Sequence, residues 1–137
     1  MEEKLKLLKR HPCGDGLRQR TLRRIAEDCE MVKLESGDLL HEANAPLDAM
    51  YLVVGGRLRV STIDIQDKVV RQWFETSGGQ FGAVAMTTDQ TSNFHCVAEE
   101  PSALVKIDRD LFLKTSRQSY RFRLNVLQLL NDTIQQM

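Results

Sequence analysis

Apolar positions in the first thirty residues recur at near-helical spacing: Leu5 and Leu8, then Leu17, Leu22, Ile25 and Ala26. The cluster His11-Pro12-Cys13-Gly14-Asp15-Gly16 interrupts them, and its glycines and proline favour a turn over a continuous helix. Two short helices with a tight bend are predicted. From Met31 the period changes. Short runs at 31–34, 39–41, 50–54, 58–63, 69–74, 94–98 and 103–107 are rich in β-branched and aromatic residues, which suit a pleated, half-buried surface. Turn signals separate them: Ser36-Gly37-Asp38, Asn44-Ala45-Pro46, Gly55-Gly56, the stretch 64–68 and Ser77-Gly78-Gly79. Many short strands at such close intervals predict a sandwich or barrel. After Ile107 the helical spacing returns with Leu111 and Phe112, then Tyr120, Leu124, Leu127, Leu130, Ile134 and Met137, and Asp108 is well placed as an N-cap. A helix over 119–136 would extend about 27 Å at 1.5 Å per residue, long enough to leave the barrel and act as an output element.

The expected organisation is therefore an N-terminal helical segment (1–30), a β-barrel (31–108) and C-terminal helices (109–137), forming one structural domain of a longer protein. No segment repeats at a fixed period and no low-complexity linker divides the chain. A length of 137 residues suits one domain and leaves no room for a second, catalytic one.

Composition narrows the picture slightly. Hydrophobic residues make up 42% and charged residues 28%, an ordinary globular balance. Nineteen basic residues offset nineteen acidic ones, so no net field draws in nucleic acid. Arg18, Arg20, Arg23 and Arg24 lie close to Glu27, Asp28 and Glu30, and read as a solvated helix face rather than a nucleic-acid patch. Cys13, Cys29 and Cys96 are odd in number and lack the paired spacing of a disulfide framework or zinc site, which fits a reducing cytoplasm. The opening MEEKLKLLKR is charged and amphipathic, and no apolar run nears the roughly 18 residues of a membrane span.

The segment with the most chemistry is Ser77-Gly78-Gly79-Gln80-Phe81-Gly82-Ala83-Val84-Ala85-Met86, where a strand ends in glycines and a brief helix-compatible stretch follows. Glycines let a backbone approach a ligand, and amides at a helix start can hold an anion; a tight turn with a packing helix is the plainer alternative. Met86-Thr87-Thr88-Asp89 offers hydroxyls and an acid but nothing to act as their base, and there is no Walker loop, paired carboxylate loop or His-x-Glu metal pattern. No enzyme activity is expected. His95 reads as a half-buried strand histidine rather than a ligand contact, and Cys96 as a small core residue.

Position along the chain adds a resemblance. Leu34-Glu35-Ser36-Gly37-Asp38, then Glu42, then Tyr51-Leu52-Val53-Val54-Gly55-Gly56-Arg57-Leu58-Arg59-Val60 resemble the glycine-punctuated strands of cyclic-nucleotide-binding domains, and Phe81-Gly82 falls where that family keeps its phosphate-binding cassette. The similarity runs from about Leu17 to about Ser116. It implies a mainly β fold with flanking helices: an eight-stranded jelly-roll-like β-barrel, or double-stranded β-helix, whose C-terminal helices move when ligand enters. It also implies a regulatory role in signal transduction. In that family the cassette reads Phe-Gly-Glu, then aliphatic residues, then Pro-Arg; the glutamate grips the ribose hydroxyl and the arginine pairs with the cyclic phosphate.

The match breaks at those two grips. Ala83 stands in the glutamate position and Thr91-Ser92 in place of Pro-Arg, with Asn93, Phe94 and His95 following. A hydrogen bond to a charged group is worth about 1.5–3 kcal/mol, so losing both costs about 3–5 kcal/mol, several hundredfold or more in affinity. The resemblance thus implies a sensor module with weak or no cyclic AMP or cyclic GMP binding, its candidate pocket at Phe81, Gly82, Ala83, Val84, Ala85, Ser92 and Asn93. Two other roles stay open: a ligand-free interaction or dimerisation scaffold, and a sensor of another small anionic ligand held by the glycine-rich backbone with help from Arg57, Arg59 or Arg71. The barrel in some sensors holds haem or an iron–sulfur cluster, but these cysteines are too dispersed, and no cofactor is expected. Tyr120, Leu124, Leu127 and Ile134, with Asn131 in a polar slot, suit a coiled-coil seam for a homodimer; packing back onto the barrel is the alternative. In transcription factors with this barrel a helix-turn-helix follows the long helix. Here the chain stops, so nucleic-acid contact is not expected of it; without a long apolar run membrane contact is not expected either, and an effector domain would lie elsewhere.

Overall fold

The computed structural model describes residues 1–64, 66, 68–88 and 92–137. Each predicted apolar run is a strand: β1 (Glu30–Leu34), β2 (Leu39–His41), β3 (Ala49–Gly55), β4 (Arg57–Ile63), β5 (Val69–Thr76), β7 (Phe94–Ala98) and β8 (Ser102–Asp108). The additional β6 (Gln80–Phe81) has only two residues, too few to leave a periodic signal, and pairs Phe81 with Tyr51 and Gln80 with Leu52. The eight strands form two antiparallel four-stranded sheets, ordered β1-β8-β3-β6 and β2-β7-β4-β5. Successive strands mostly alternate between sheets, and only β4 and β5 follow one another within the same sheet. This is the expected jelly-roll-like arrangement.

Changing sheets demands tight corners. At the β3–β4 corner Gly56 has φ +86°, and a Cβ there would lie 2.3 Å from Ser102 Oγ and 2.5 Å from the Pro101 carbonyl oxygen, so only glycine fits. Between the sheets, Met50, Leu52, Val105 and Ile107 from one meet Leu58, Val60, Cys96 and Ala98 from the other, all buried. Full burial of a large apolar side chain contributes roughly 1.5–3 kcal/mol, so this layer sets the stability of the barrel.

The N-terminal helices are α1 (Glu2–Arg10) and α2 (Gln19–Asp28), joined through a 3-10 turn at Pro12–Gly14. Leu5, Leu8, Leu22, Ile25 and Ala26 bury their shared face. Helix α3 (Ala83–Thr88) follows β6, and α4 (Arg109–Gln118) and α5 (Tyr120–Gln136) follow β8. Asp108 caps α4, its Oδ1 accepting the Leu111 amide at 2.8 Å, and Ser119 ends α4 and starts α5 by accepting the Phe122 amide at 3.1 Å.

The last helix departs from expectation in one respect. It does not leave the barrel; it lies along it. Phe122, Val126 and Leu129 are buried, with Phe122 edge-on to Phe112 at 5.7 Å, while Tyr120, Leu124 and Leu127 face outward and the exposed Ile134 lies at the edge of that stripe. The helix carries two apolar faces. The one bearing Phe122 is held by contacts from the rest of the chain, and the other is left uncovered. Among the described residues no helix is long and apolar enough to cross a membrane.

Candidate ligand cavity

Strand β5 is exposed along most of its length but turns Trp73 and Glu75 inward, two residues apart and therefore on one face. Beneath them Phe81 ends β6, and Gly82 bends the chain into α3 with φ +103°. A Cβ at Gly82 would sit 2.5 Å from the Ala49 carbonyl oxygen, so this corner also requires glycine. Val84, Ala85 and Thr88 of α3, the start of β7 at Phe94, and Leu130, Thr133, Ile134 and Met137 at the end of α5 complete the walls of a cavity of about 410 Å3.

A polar network sits at one end. Glu75 Oε2 accepts from Trp73 Nε1 and Thr133 Oγ1, each at 3.1 Å, and from Gln136 Nε2 at 3.4 Å; its Oε1 accepts the Gln80 amide at 3.3 Å. Gln80 Nε2 donates to Thr133 Oγ1 at 3.1 Å, and Gln80 Oε1 accepts the Ala83 amide at 3.0 Å. Burial pushes the Glu75 carboxyl above its usual range, only partly offset by the hydrogen bonds from Gln80, Thr133 and Trp73.

Of the residues expected at the site, Phe81, Gly82, Val84, Ala85, Ser92 and Asn93 border this cavity. Ala83 does not. It is completely buried and points into the protein, and its amide is already bonded to Gln80, which removes one donor from the anticipated anion cradle. Ser92 Oγ accepts the Phe94 amide at 3.2 Å and so caps the start of β7. Thr91 and Asp89 lie outside the described residues. Among the described residues the cavity wall contains no lysine or arginine. Arg57 lies over the Phe74 ring at 4.9 Å, Arg59 pairs with Glu99 at 2.7 Å, and Arg71 donates to the main-chain oxygen of Met137, so none of the three is part of the wall. His95 is half-buried and absent from the wall, paired across the sheet with Ser61. All three cysteines are buried and free; burial pushes the Cys13 and Cys96 thiols up to about 12.

Sequence reasoning overlooked Trp73, Glu75, Gln80 and Thr133. The alternation of β5 carried a usable signal for the first two, an acid sharing a face with a tryptophan, whereas Thr133 joins them only through the docking of α5. Arg109 was also missed. Its Nη2 donates to the Leu47 and Ala85 carbonyl oxygens at 3.2 Å and its Nη1 to that of Met86 at 3.5 Å, so it holds the carbonyl end of α3 from the side of α4.

This arrangement, a glycine corner leading into a one-turn helix beside a strand face and under a C-terminal helix, can be set against known proteins. Among curated proteins none matches the sequence. In solved structures the sensor domain of the transcriptional regulator DNR from Pseudomonas aeruginosa is similar over 96% of this chain and 94% of its own, with a TM-score of 0.76 at 20% identity. The Thermus thermophilus catabolite activator protein aligns over 90% of this chain and 58% of its own, at TM-score 0.77 and 19% identity. The regulatory subunit of a cAMP-independent protein kinase A from Trypanosoma cruzi, bound to guanosine, aligns over 93% of this chain and 49% of its own, at TM-score 0.75 and 16% identity. The chain thus spans nearly all of an isolated sensor domain but only about half of the longer regulators. At these identities the likeness establishes the fold. A family model describing the cyclic nucleotide-binding domain matches residues 31–119, from β1 to the cap of α5, and on that match the chain belongs to the cyclic nucleotide-binding domain family.

Proposed function

We propose that this chain is a regulatory sensor domain of a longer protein and that its cavity does not hold cyclic nucleotides with physiological strength. The observation that carries this reading is the charge of the wall: one buried carboxyl, Glu75, and no lysine or arginine among the described lining residues. Asp89, Gln90 and Thr91, which precede Ser92 in the sequence, bring no cation either. A cyclic phosphate buried here would be desolvated beside an acid without a counter-charge, a costly arrangement. The same reasoning weighs against other small anions. Among the relatives, a cAMP-independent kinase regulatory subunit bound to guanosine is an instance of this fold with an uncharged ligand. Calorimetric titration with cyclic AMP and cyclic GMP tests the reading: no heat below millimolar ligand is expected, and micromolar binding by either would refute it.

A second reading, dimerisation, rests on α5. Tyr120, Leu124, Leu127, Asn131 and Ile134 follow the alternating four- and three-residue spacing of a coiled-coil seam, and the four apolar members are 64%, 39%, 60% and 62% exposed. Two copies packing along this seam would cover it while leaving the inner face on each barrel, and Asn131 would set the register. Sedimentation of the full chain against its Leu127→Glu variant is expected to show a dimer and a monomer; a monomeric parent chain removes this reading.

A further inference from the structure

The polar groups at the Glu75 end of the cavity are bonded to one another. An ionised carboxylate has about four lone-pair sites, and Glu75 accepts from Trp73, Gln80, Thr133 and Gln136. Thr133 gives its one hydroxyl hydrogen to Glu75 and accepts from Gln80, whose own side-chain oxygen accepts the Ala83 amide. The Glu75 acceptor sites and the Thr133 hydroxyl hydrogen are thus engaged within the network. What faces the open space is mostly carbon: Val60, Trp73, Phe81, Phe94, Leu130 and Ile134. A volume of about 410 Å3 falls within the roughly 300–1,000 Å3 common for small-molecule sites, which are mostly apolar and carry few polar contacts. Trp73 and Phe94 already meet edge to face at 5.5 Å, so aromatic ring faces and edges are available to a flat guest.

Building on the proposed reading of a sensor without the family's charged grips, we infer that this cavity takes an uncharged, predominantly apolar small molecule, of the class of one- or two-ring aromatic compounds. An anion would meet an acid without a cation. A strongly polar guest would lose its water and find the Glu75 network already engaged. An apolar guest covers carbon on both sides and disturbs no hydrogen bond. Ile134 and Met137, 62% and 42% exposed, line the wall from the end of α5, so such a guest would also bury part of that helix. Occupancy would therefore reach the element that also carries the outer seam.

The test uses the full chain and the uncharged dye N-phenyl-1-naphthylamine, which brightens in apolar surroundings. Saturable binding at one site per chain is expected, weakened at least tenfold by Leu130→Trp and by the gentler Ala85→Leu, both of which fill the cavity, and unchanged by Leu127→Glu on the outer seam. Circular dichroism and thermal melting establish that each variant is folded. Absence of saturable binding overturns the inference, and so does binding that Leu127→Glu abolishes while the cavity variants leave it intact. Loss of the broader reading looks different: micromolar cyclic AMP binding by calorimetry refutes the missing grips whatever the dye does, whereas silence from both ligands overturns the apolar guest alone.

Discussion

The two halves of α5 are fastened to the barrel by different chemistry. In the first part, up to Leu129, Phe122, Asn125, Val126 and Leu129 are buried, and Asn125 Nδ2 donates to the Cys13 and Asp15 carbonyl oxygens at 2.9 and 2.8 Å, binding the helix to the N-terminal turn. In the second half the ties are side-chain hydrogen bonds from Thr133 and Gln136 to Glu75, while Ile134 and Met137 remain largely exposed beside the cavity. Apolar burial is lost only when packing is lost, whereas a few hydrogen bonds at a cavity rim exchange readily for water. The first part is thus expected to behave as core and the second as a cover that opens without unfolding the domain. A ligand acting on the second half reaches the seam of the first through one continuous helix.

The largest expected effect lies in the first half. Phe122→Ala removes a fully buried ring set edge-on to Phe112 and is expected to cost about 3–5 kcal/mol in urea unfolding. Asn125→Ala takes the donor from the buried Cys13 carbonyl oxygen, while that of Asp15 keeps Arg121 Nε, and should cost about 1–3 kcal/mol. If either change is neutral, the first half is not core. In the second half, Thr133→Ala should lower global stability by no more than about 1 kcal/mol while speeding amide exchange across residues 130–137 and leaving 120–126 unchanged. Equal acceleration along the whole helix would show that the halves open together.

The smallest effect is one of pH, and it sharpens the contrast between the two attachments. His11, beside the first half, accepts the Cys13 amide on Nδ1 at 3.0 Å and donates from Nε2 to the Gly79 carbonyl oxygen at 2.9 Å, an arrangement that needs a neutral ring. Burial holds its pKa below the ordinary 6.5, although the bond to Gly79 works the other way. The unfolded chain therefore binds more protons, and stability falls as pH drops below 6.5. Glu75 has the opposite sense. Its raised folded pKa means that the folded chain binds more protons, so its contribution to stability grows as pH falls toward its ordinary 4.5. Between 4.5 and 6.5 the two oppose one another. Urea unfolding across that range should show a steeper acid loss for Glu75→Gln than for the parent chain and a shallower one for His11→Asn. Parallel profiles for all three chains would mean that neither group is linked to folding.

How much of this was legible in the residues differs from element to element. Strands such as β3 and β4 could be located because apolar and β-branched residues cluster between strong turn signals, and those preferences act locally. The two-residue β6 could not, since it exists only through pairing with Tyr51 and Leu52. The place of Phe81 and Gly82 beside a cavity was readable because a glycine corner at that spacing resembles a known cassette. The inward turn of Ala83 was not, because the first turn of α3 sets the direction of each side chain in space.

Seven of the eight strands, the flanking helices and the glycine corners at Gly56 and Gly82 could be placed from the residues alone. These are properties of residue type and near neighbours. Only the tertiary structure decided which apolar face of α5 is core, which arginines face elsewhere, and that Glu75 meets Thr133 at 3.1 Å across 58 residues of chain. The physical reason is that burial and charge pairing depend on what the rest of the chain brings alongside, and a one-dimensional pattern contains no such neighbours.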